Sequence, residues 1–333
     1  MFKKSRTLLM AGLLSLSLLV TGCGGSGGGE EKKEAASKYP ERPVEVIVGW
    51  GAGGGTDVFA RSIAKPAAEI IGQSMPVKNM AGASGSIAGD YITQQPADGY
   101  TIWAMGSNYA VNVALGRTPH KLDAYIPIAR IQHDTAMLQV TKDSKFKTID
   151  DLVTYAKANP GKVKVGGTGA ASFDEVVVAL WEEAAGIDVN YVPYEKGGAM
   201  QSALMGGHVD VMFEELGPTM GLVQEGSLKP ILAFTDAKIA SMPDLPVSVD
   251  KGWNVTLGNW RGVLVKKGTP DDAVKKLQET FAKAYEDPSY KEIEKQNALD
   301  LRPGYQTGED FGKHISSEIE IYREALVKLG YVK

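Results

Sequence analysis

Cysteine is nearly absent from this chain: one residue in 333, Cys23. A single cysteine makes no internal disulfide. The four histidines (His120, His133, His208, His314) stand apart, with no HExxH spacing and no cysteine partner. Neither a zinc site nor a Cys–His nucleophile is indicated, and no metal or cofactor is expected. Long apolar runs are also missing. The longest covers residues 8–20, short of the ~20 residues that a membrane-spanning helix requires. Basic tracts are absent beyond the first few residues. The formal charge is −4, and −7 without Lys3, Lys4 and Arg6. That balance argues against nucleic acid and anionic lipid surfaces as partners.

What is present begins with the leader. Lys3, Lys4 and Arg6 precede the apolar stretch, and Val20-Thr21-Gly22-Cys23 closes it. A basic n-region, a short apolar core and small residues make a secretory signal. An apolar residue, two small ones and a cysteine resemble a bacterial lipobox. Residues 1–22 are therefore expected to be a lipoprotein signal peptide, with Cys23 lipidated and the product held outside the cell membrane. Residues 23–38 are Gly/Ser-rich and then charged, with no side chain larger than alanine among the apolar ones. Such a stretch buries no core and suits a flexible tether.

From Tyr39 the body runs to nearly 300 residues, which favours two lobes over one core. Short β-branched runs alternate with helical patterns, implying α/β layering and largely parallel sheets. Strands are expected at 44–48, 76–79, 100–105, 137–141, 163–166, 190–194, 209–213, 229–235 and 262–265. Helices are expected at 57–71, 86–95, 149–158, 172–185, 198–205, 270–286 and 308–329. Thr269-Pro270-Asp271-Asp272 reads as an N-cap followed by a proline at the first helical position. Gly330 stands where the last helix needs a left-handed terminator. Pro66 within the first helix predicts a kink.

One pattern recurs. The strand at 44–48 runs into Gly49-Trp50-Gly51-Ala52-Gly53-Gly54-Gly55-Thr56-Asp57 and a helix; the strand at 163–166 runs into Gly167-Thr168-Gly169-Ala170-Ala171-Ser172 and another. Gly82-Ala83-Ser84-Gly85-Ser86 also opens a helix. A turn without bulky side chains at a helix N-terminus leaves a nest of backbone N–H groups at the positive end of the dipole. Three nests suit an anionic ligand held from two sides.

Other chemistry is poorly supported. Gly49-x-Gly51-x-x-Gly54 fits the dinucleotide fingerprint only formally, because Trp50 is bulky and the second strand ends on Lys78-Asn79 with no acid. The turn around Ser84 lacks the final glycine of a nucleophile elbow. Glu182-Glu183 and Glu214-Glu215 are adjacent acids whose side chains should diverge on a regular element.

An ordered series of motifs resembles one family, the extracytoplasmic solute receptors of tripartite tricarboxylate transporters (TctC or Bug proteins). It includes Tyr39-Pro40-x-Arg42-Pro43-Val44, Ala52-Gly53-Gly54-Gly55-Thr56-Asp57 with Arg61, and Val77-Lys78-Asn79-x-x-Gly82-Ala83-x-Gly85. Pro96-Ala97-Asp98-Gly99-Tyr100-Thr101, Val192-Pro193-Tyr194, Gly206-Gly207-His208-Val209-Asp210 and Gly268-Thr269-Pro270 continue it. The resemblance implies an α/β, two-lobed periplasmic-binding-protein (Venus flytrap) fold with two crossover segments. Residues 39–138 and 262–333 would form one lobe and 139–261 the other. It further implies a monomer that captures a small carboxylate solute and delivers it to a permease of one large and one small integral membrane subunit. Ligand-facing positions carried over by motif are Trp50, Gly54, Gly55, Thr56, Ala83, Ser84 and Ser107, with Thr168, Ser172, Tyr194 and Glu214 from the other side. Backbone amides, hydroxyls and water would hold the carboxylate, with no arginine. Asp57 is expected to cap its helix. Trp50 stands where the family usually has phenylalanine, and Glu214-Glu215 where an aspartate-centred pair is usual. The alternative is an extracellular hydrolase acting on a carboxylate ester through Ser84 or Ser172.

Overall fold

Residues 38–333 are described by a computed structural model. The leader, Cys23 and the tether up to residue 37 lie outside the described residues, as does the Ser84 side chain. The described strands are β1 (Glu45–Val48), β2 (Val77–Asn79), β3 (Thr101–Gly106), β4 (Tyr125–His133), β5 (Ala136–Thr141), β6 (Lys164–Thr168), β7 (Asn190–Tyr194), β8 (Val211–Glu215), β9 (Leu228–Ala233), β10 (Trp260–Lys266) and β11 (Gln306–Thr307). The helices are α1 (Gly55–Ile71), α2 (Ser86–Gln94), α3 (Asn108–Ala114), α4 (Ile149–Ala158), α5 (Phe173–Ala185), α6 (Gly197–Met205), α7 (Met220–Gln224), α8 (Asp271–Tyr285), α9 (Pro288–Gln296) and α10 (Gly308–Lys328).

Local chemistry sets several boundaries. The Thr148 hydroxyl accepts the Asp151 N–H while the Asp151 carboxylate accepts the Thr148 N–H, a capping box that starts α4. Gly330 adopts φ 79°, and the Gly330 and Tyr331 N–H groups bond the carbonyls of Val327 and Leu326, closing α10 with a Schellman motif. The start of α8 differs from expectation. Pro270 is the N-cap, and the Thr269 hydroxyl donates to the Lys266 carbonyl in the turn before it. Pro66 sits inside α1 without ending it.

The strands form two sheets, ordered β11-β4-β10-β3-β1-β2 and β7-β6-β8-β5-β9. They are mixed and not largely parallel. β1 runs parallel to β2 and β3, and β6 to β7 and β8, as βαβ units require. β10 is antiparallel to β3 and β4, and β5 to β8 and β9. The cause is the crossing itself: β4 carries the chain towards the second sheet and β10 brings it back, so the two run in opposite directions where they pair. The chain leaves the first sheet after His133 and re-enters it at Trp260. The changeovers expected after residues 138 and 261 fall inside β5 and β10. The two passing segments are tied where the Asp134 N–H donates to the Asn259 carbonyl at 2.9 Å.

Phe59 and Ile63 of α1 and Leu277 and Phe281 of α8 share a core with Val46, Ala104 and Val263 of the first sheet. Phe311, Ile315 and Tyr322 of α10 belong to a longer core with Trp103 and Trp260, which continues to Trp181, Phe213 and Phe234 around the second sheet. Helix α10 and the tail after it are also bonded to α5: Lys328 Nζ pairs with Glu183 at 2.7 Å, and the Tyr331 hydroxyl donates to Glu175 at 3.1 Å.

Candidate ligand-binding site

Helix α1 begins at Gly55, preceded by Gly54 in an extended conformation with no side-chain cap. Gly55 and Thr56 therefore occupy the first two helical positions, whose N–H groups have no acceptor within the helix. Asp57 secures this end. Its carboxylate accepts the Gly53 N–H at 2.9 Å, the Arg61 Nε at 3.1 Å and the Asn79 Nδ2 at 2.8 Å. It is buried and held below the usual carboxylate range: burial pushes it up, and these bonds outweigh that. Asp57 is thus structural, acting from inside the first turn.

Trp50, Gly54, Gly55 and Thr56 line one cavity of about 190 Å³ with Gly106, Asn108, Asn259 and Arg261. An adjoining cavity of about 230 Å³ shares Gly55 and Arg261, and adds Gln132, Asp134, Glu215 and Leu216 to its walls. Residues of both sheets therefore meet around Arg261. A Cβ placed on Gly55 would lie 2.8 Å from Arg261 Nη2, so only glycine admits the guanidinium this close to the helix start.

The remaining sequence candidates fall into three groups. Ala83 is exposed, at φ 45°, in the turn before α2. Ser107 is buried, and its hydroxyl donates to Asn259 Oδ1 at 2.7 Å; it positions a cavity residue without lining the cavity. Thr168, Ser172, Tyr194 and Glu214 line neither cavity. Both Thr168 donors go to Asp174, the N–H at 2.7 Å and the hydroxyl at 2.8 Å. The Ala171 N–H goes to Glu175 and the Gly169 N–H to the Tyr194 carbonyl. The Ser172 hydroxyl caps α5, accepting from the Glu175 N–H and donating to the Gly169 carbonyl. In this second nest the chain's own carboxylates take the N–H groups that the sequence pattern offered to a ligand.

Sequence reasoning missed Arg261, Asn259 and Asp134 and assigned no arginine to the site. Arg261 Nη1 donates to Asp134 Oδ2 at 2.7 Å and to Gln132 Oε1 at 3.3 Å, while Glu215 Oε1 accepts from Asn259 Nδ2 at 3.1 Å. Asn259 and Arg261 flank Trp260 at the sheet re-entry, so period-2 alternation sends both to one side; that was the available signal. Glu214 and Glu215 do not simply diverge. Burial, then the Glu215 charge and the hydrogen bond that the protonated Glu214 carboxyl donates to Glu215, raise Glu214 far above the carboxylate range. Glu214 is therefore a protonated donor at neutral pH.

Three more acids titrate high. Burial lifts Asp134 to about 6 against the pull of Arg261, Asp174 to about 7, and the half-buried Glu182 to about 7. A raised carboxyl binds more protons folded than unfolded, so its stabilising contribution is complete at low pH and is lost as pH rises through the folded value. His133, buried and held well below its usual value, opposes this in the acid range. With four raised acids, Glu214 included, against one histidine, the melting temperature of the unliganded protein should rise by roughly 5 °C from pH 8 to pH 5. Scanning fluorimetry across that range checks it; a flat or falling curve contradicts the buried-acid assignment.

The sequence model of the tripartite tricarboxylate transporter family receptor, TctC, matches residues 59–330, and the chain belongs to that family. Among curated relatives, the UPF0065 protein of the gbd 5′ region of Cupriavidus necator is 27% identical over 305 residues, 90% of each chain. BugT of Bordetella pertussis is 28% identical over 240 residues, 71% of this chain and 74% of BugT. Among solved structures, a TctC solute-binding protein from Polaromonas has a TM-score of 0.77 at 28% identity, covering 87% of this chain and 99% of its own. A protein of R. palustris solved with adipate has a TM-score of 0.74 at 26% identity, over 88% and 98% of the two chains. The two-sheet α/β architecture described above is the fold of these periplasmic binding proteins.

Proposed function

We propose that this chain is an extracytoplasmic solute-binding lipoprotein, anchored through Cys23, that captures a small carboxylate-bearing solute. It hands that solute to a tripartite permease of one large and one small membrane subunit, and works as a monomer. The observation that carries the reading is the juxtaposition at α1: Gly55 and Thr56, the first two residues of the helix, and Arg261 line one cavity, with Arg261 Nη2 close against Gly55. Such a site selects an anionic oxygen group. The R. palustris relative with adipate supports a carboxylate. The sequence Val20-Thr21-Gly22-Cys23 supports the anchor, and no helix among the described residues is long and apolar enough to cross a membrane.

Capture would work by hinging. One lobe carries the first sheet and the other the second, with residues 134–135 and 257–259 as the joints. A ligand touching both lobes favours closure only by its differential affinity for the closed state. The hydrolase alternative has no support at Ser172, whose hydroxyl is spent on a helix cap.

Native mass spectrometry of the purified protein should find a retained carboxylate, and small-angle scattering should show compaction when the emptied protein is refilled with it. Gly55→Val would place methyl groups against Arg261 Nη2, and should weaken that binding by at least about 100-fold, the loss of two charge-assisted hydrogen bonds. Gly54→Val should be milder, since a Cβ there meets only the Gly51 carbonyl oxygen at 3.3 Å. Normal binding by Gly55→Val removes α1 from the site.

A further inference from the structure

We propose that the space between Asp134 and Glu215 receives a cationic nitrogen, so that the ligand is an amino-bearing carboxylate and not a simple dicarboxylate. The inference rests on the receptor reading above and narrows its substrate class.

The first observation is an unmatched charge. Asp134 and Glu215 both line the second cavity, with Arg261 the one cation among the described residues of its wall. Arg261 Nη1 bonds Asp134 Oδ2 alone of the two Asp134 oxygens. Asp134 Oδ1 is buried, in a residue 7% exposed, and has no hydrogen-bond partner among the described residues. A carboxylate oxygen removed from water and left unbonded is costly, and a cation arriving in the adjoining cavity would offset the charge. Glu215 takes neutral donors, the amide of Asn259 and the protonated Glu214 carboxyl, and no cation.

The second observation is the acidity behind that wall. Glu215 carries charge influence onto Asp134, Asp174 and Glu214, each of which is raised by burial first and by that neighbour as well. An excess of acids around one arginine opposes a second ligand carboxylate and favours an ammonium. The remaining wall is apolar, with Val58, Phe59, Leu216, Ile293 and Leu299, and suits a short hydrocarbon segment. A metal ion is the weaker occupant, since no group of three or more His, Cys, Asp or Glu among the described residues is placed to hold one.

The two cavities assign the two ends of such a ligand. Its carboxylate lies by Gly55, Thr56 and Arg261 Nη2; its nitrogen reaches past the guanidinium towards Asp134 and Glu215.

The test is calorimetric titration of the purified full chain, emptied by mild denaturation and refolding, with matched pairs: L-glutamate against glutarate, 5-aminovalerate against valerate, and 4-aminobutyrate against butyrate. In at least one pair the amino member should bind about tenfold tighter or more, the scale of one charge-assisted bond. Glu215→Gln keeps the shape and should erase most of that preference, bringing the two members of a pair to within about threefold of each other. The wild-type comparison stands even if the variant folds poorly. Amine-free acids binding as well as or better than their partners in every pair overturns the proposal and leaves the receptor reading in place. So does a preference unchanged in folded Glu215→Gln. Failure of all six probes overturns the amino-carboxylate class. If native mass spectrometry also finds no carboxylate, the receptor reading falls with it.

Discussion

Arg261→Met should destabilise the unliganded protein by about 3 kcal/mol near pH 8, because it strands a buried carboxylate. Arg261 Nη1 and Asp134 Oδ2 are 2.7 Å apart with side chains 15% and 9% exposed, so little water screens the pair or replaces the lost partner. On a domain this large that cost corresponds to a fall of roughly 6–10 °C in melting temperature. The loss should shrink on acidification. Asp134 titrates at about 6 even beside Arg261, and without it the carboxyl will hold its proton to higher pH still. At pH 5 the variant therefore carries a neutral acid, and much of the deficit disappears. Adding Asp134→Asn to Arg261→Met should recover stability at pH 8, a coupling that packing alone does not produce. Urea melts of the two single variants and the double variant at pH 8 and pH 5 give the cycle. Equal, pH-independent losses would mean that Arg261 contributes its methylenes and not its charge.

The same residue shows why the site was only half legible. Backbone nests announce themselves in sequence because glycines and small residues at a strand–helix junction are local. That is how Trp50, Gly54, Gly55 and Thr56 were placed together. Arg261 reaches Gly55 across more than two hundred residues of chain, and its partner Asp134 lies at the other crossing; no spacing rule connects them. The second nest is occupied by the chain's own acids for a related reason. Residues 167–171 have the right backbone, but Asp174 and Glu175, in the first turn of α5, fold back onto the Thr168 and Ala171 N–H groups. Acids in a first helical turn look like ordinary dipole complements, and a sequence does not say whether they point outwards or back.

The fold was legible wherever an element met its own periodicity, as in α4 at 149–158 and β7 at 190–194, where expected and observed bounds coincide. Two nine-residue elements have no counterpart in the sequence expectations: α9, and β4, a strand inside the first sheet. The strand carries Pro127, Arg130, Gln132 and His133, residues that a pattern search reads as loop. Its burial is made tolerable from far away: Arg130 Nε donates to the Gly304 carbonyl at 2.8 Å and Nη2 to the Pro303 carbonyl at 3.0 Å. Missing β4 also hid the antiparallel pairing, since β10 then had no returning partner and the sheet looked parallel.

Gly258→Ala should be among the more damaging single methyl groups that could be added to this chain outside the cavities. Gly258 stands on the return crossing, where a Cβ would come within 2.4 Å of the Asp134 carbonyl oxygen and 2.6 Å of His133 Nε2. Neither can yield cheaply. The Asp134 peptide is fixed by its bond to the Asn259 carbonyl, and the His133 ring lies edge-on to His314 at 5.5 Å. Relief requires the two crossing segments to part, which breaks that bond and tilts one sheet against the other. A loss of about 3 kcal/mol or more is expected, at the upper end for overpacking. If residues 134–135 and 257–259 are the joints, the variant should also populate a more open form, with a larger radius of gyration and weaker ligand retention. Gly221→Ala is the control: it lies in α7 with nothing within 4 Å of its Cβ, so alanine should be neutral or slightly stabilising there. Scattering profiles and melting curves for the two variants separate the outcomes. A Gly258→Ala protein as stable and as compact as Gly221→Ala would show that the crossings are not held against each other, and would move the hinge elsewhere.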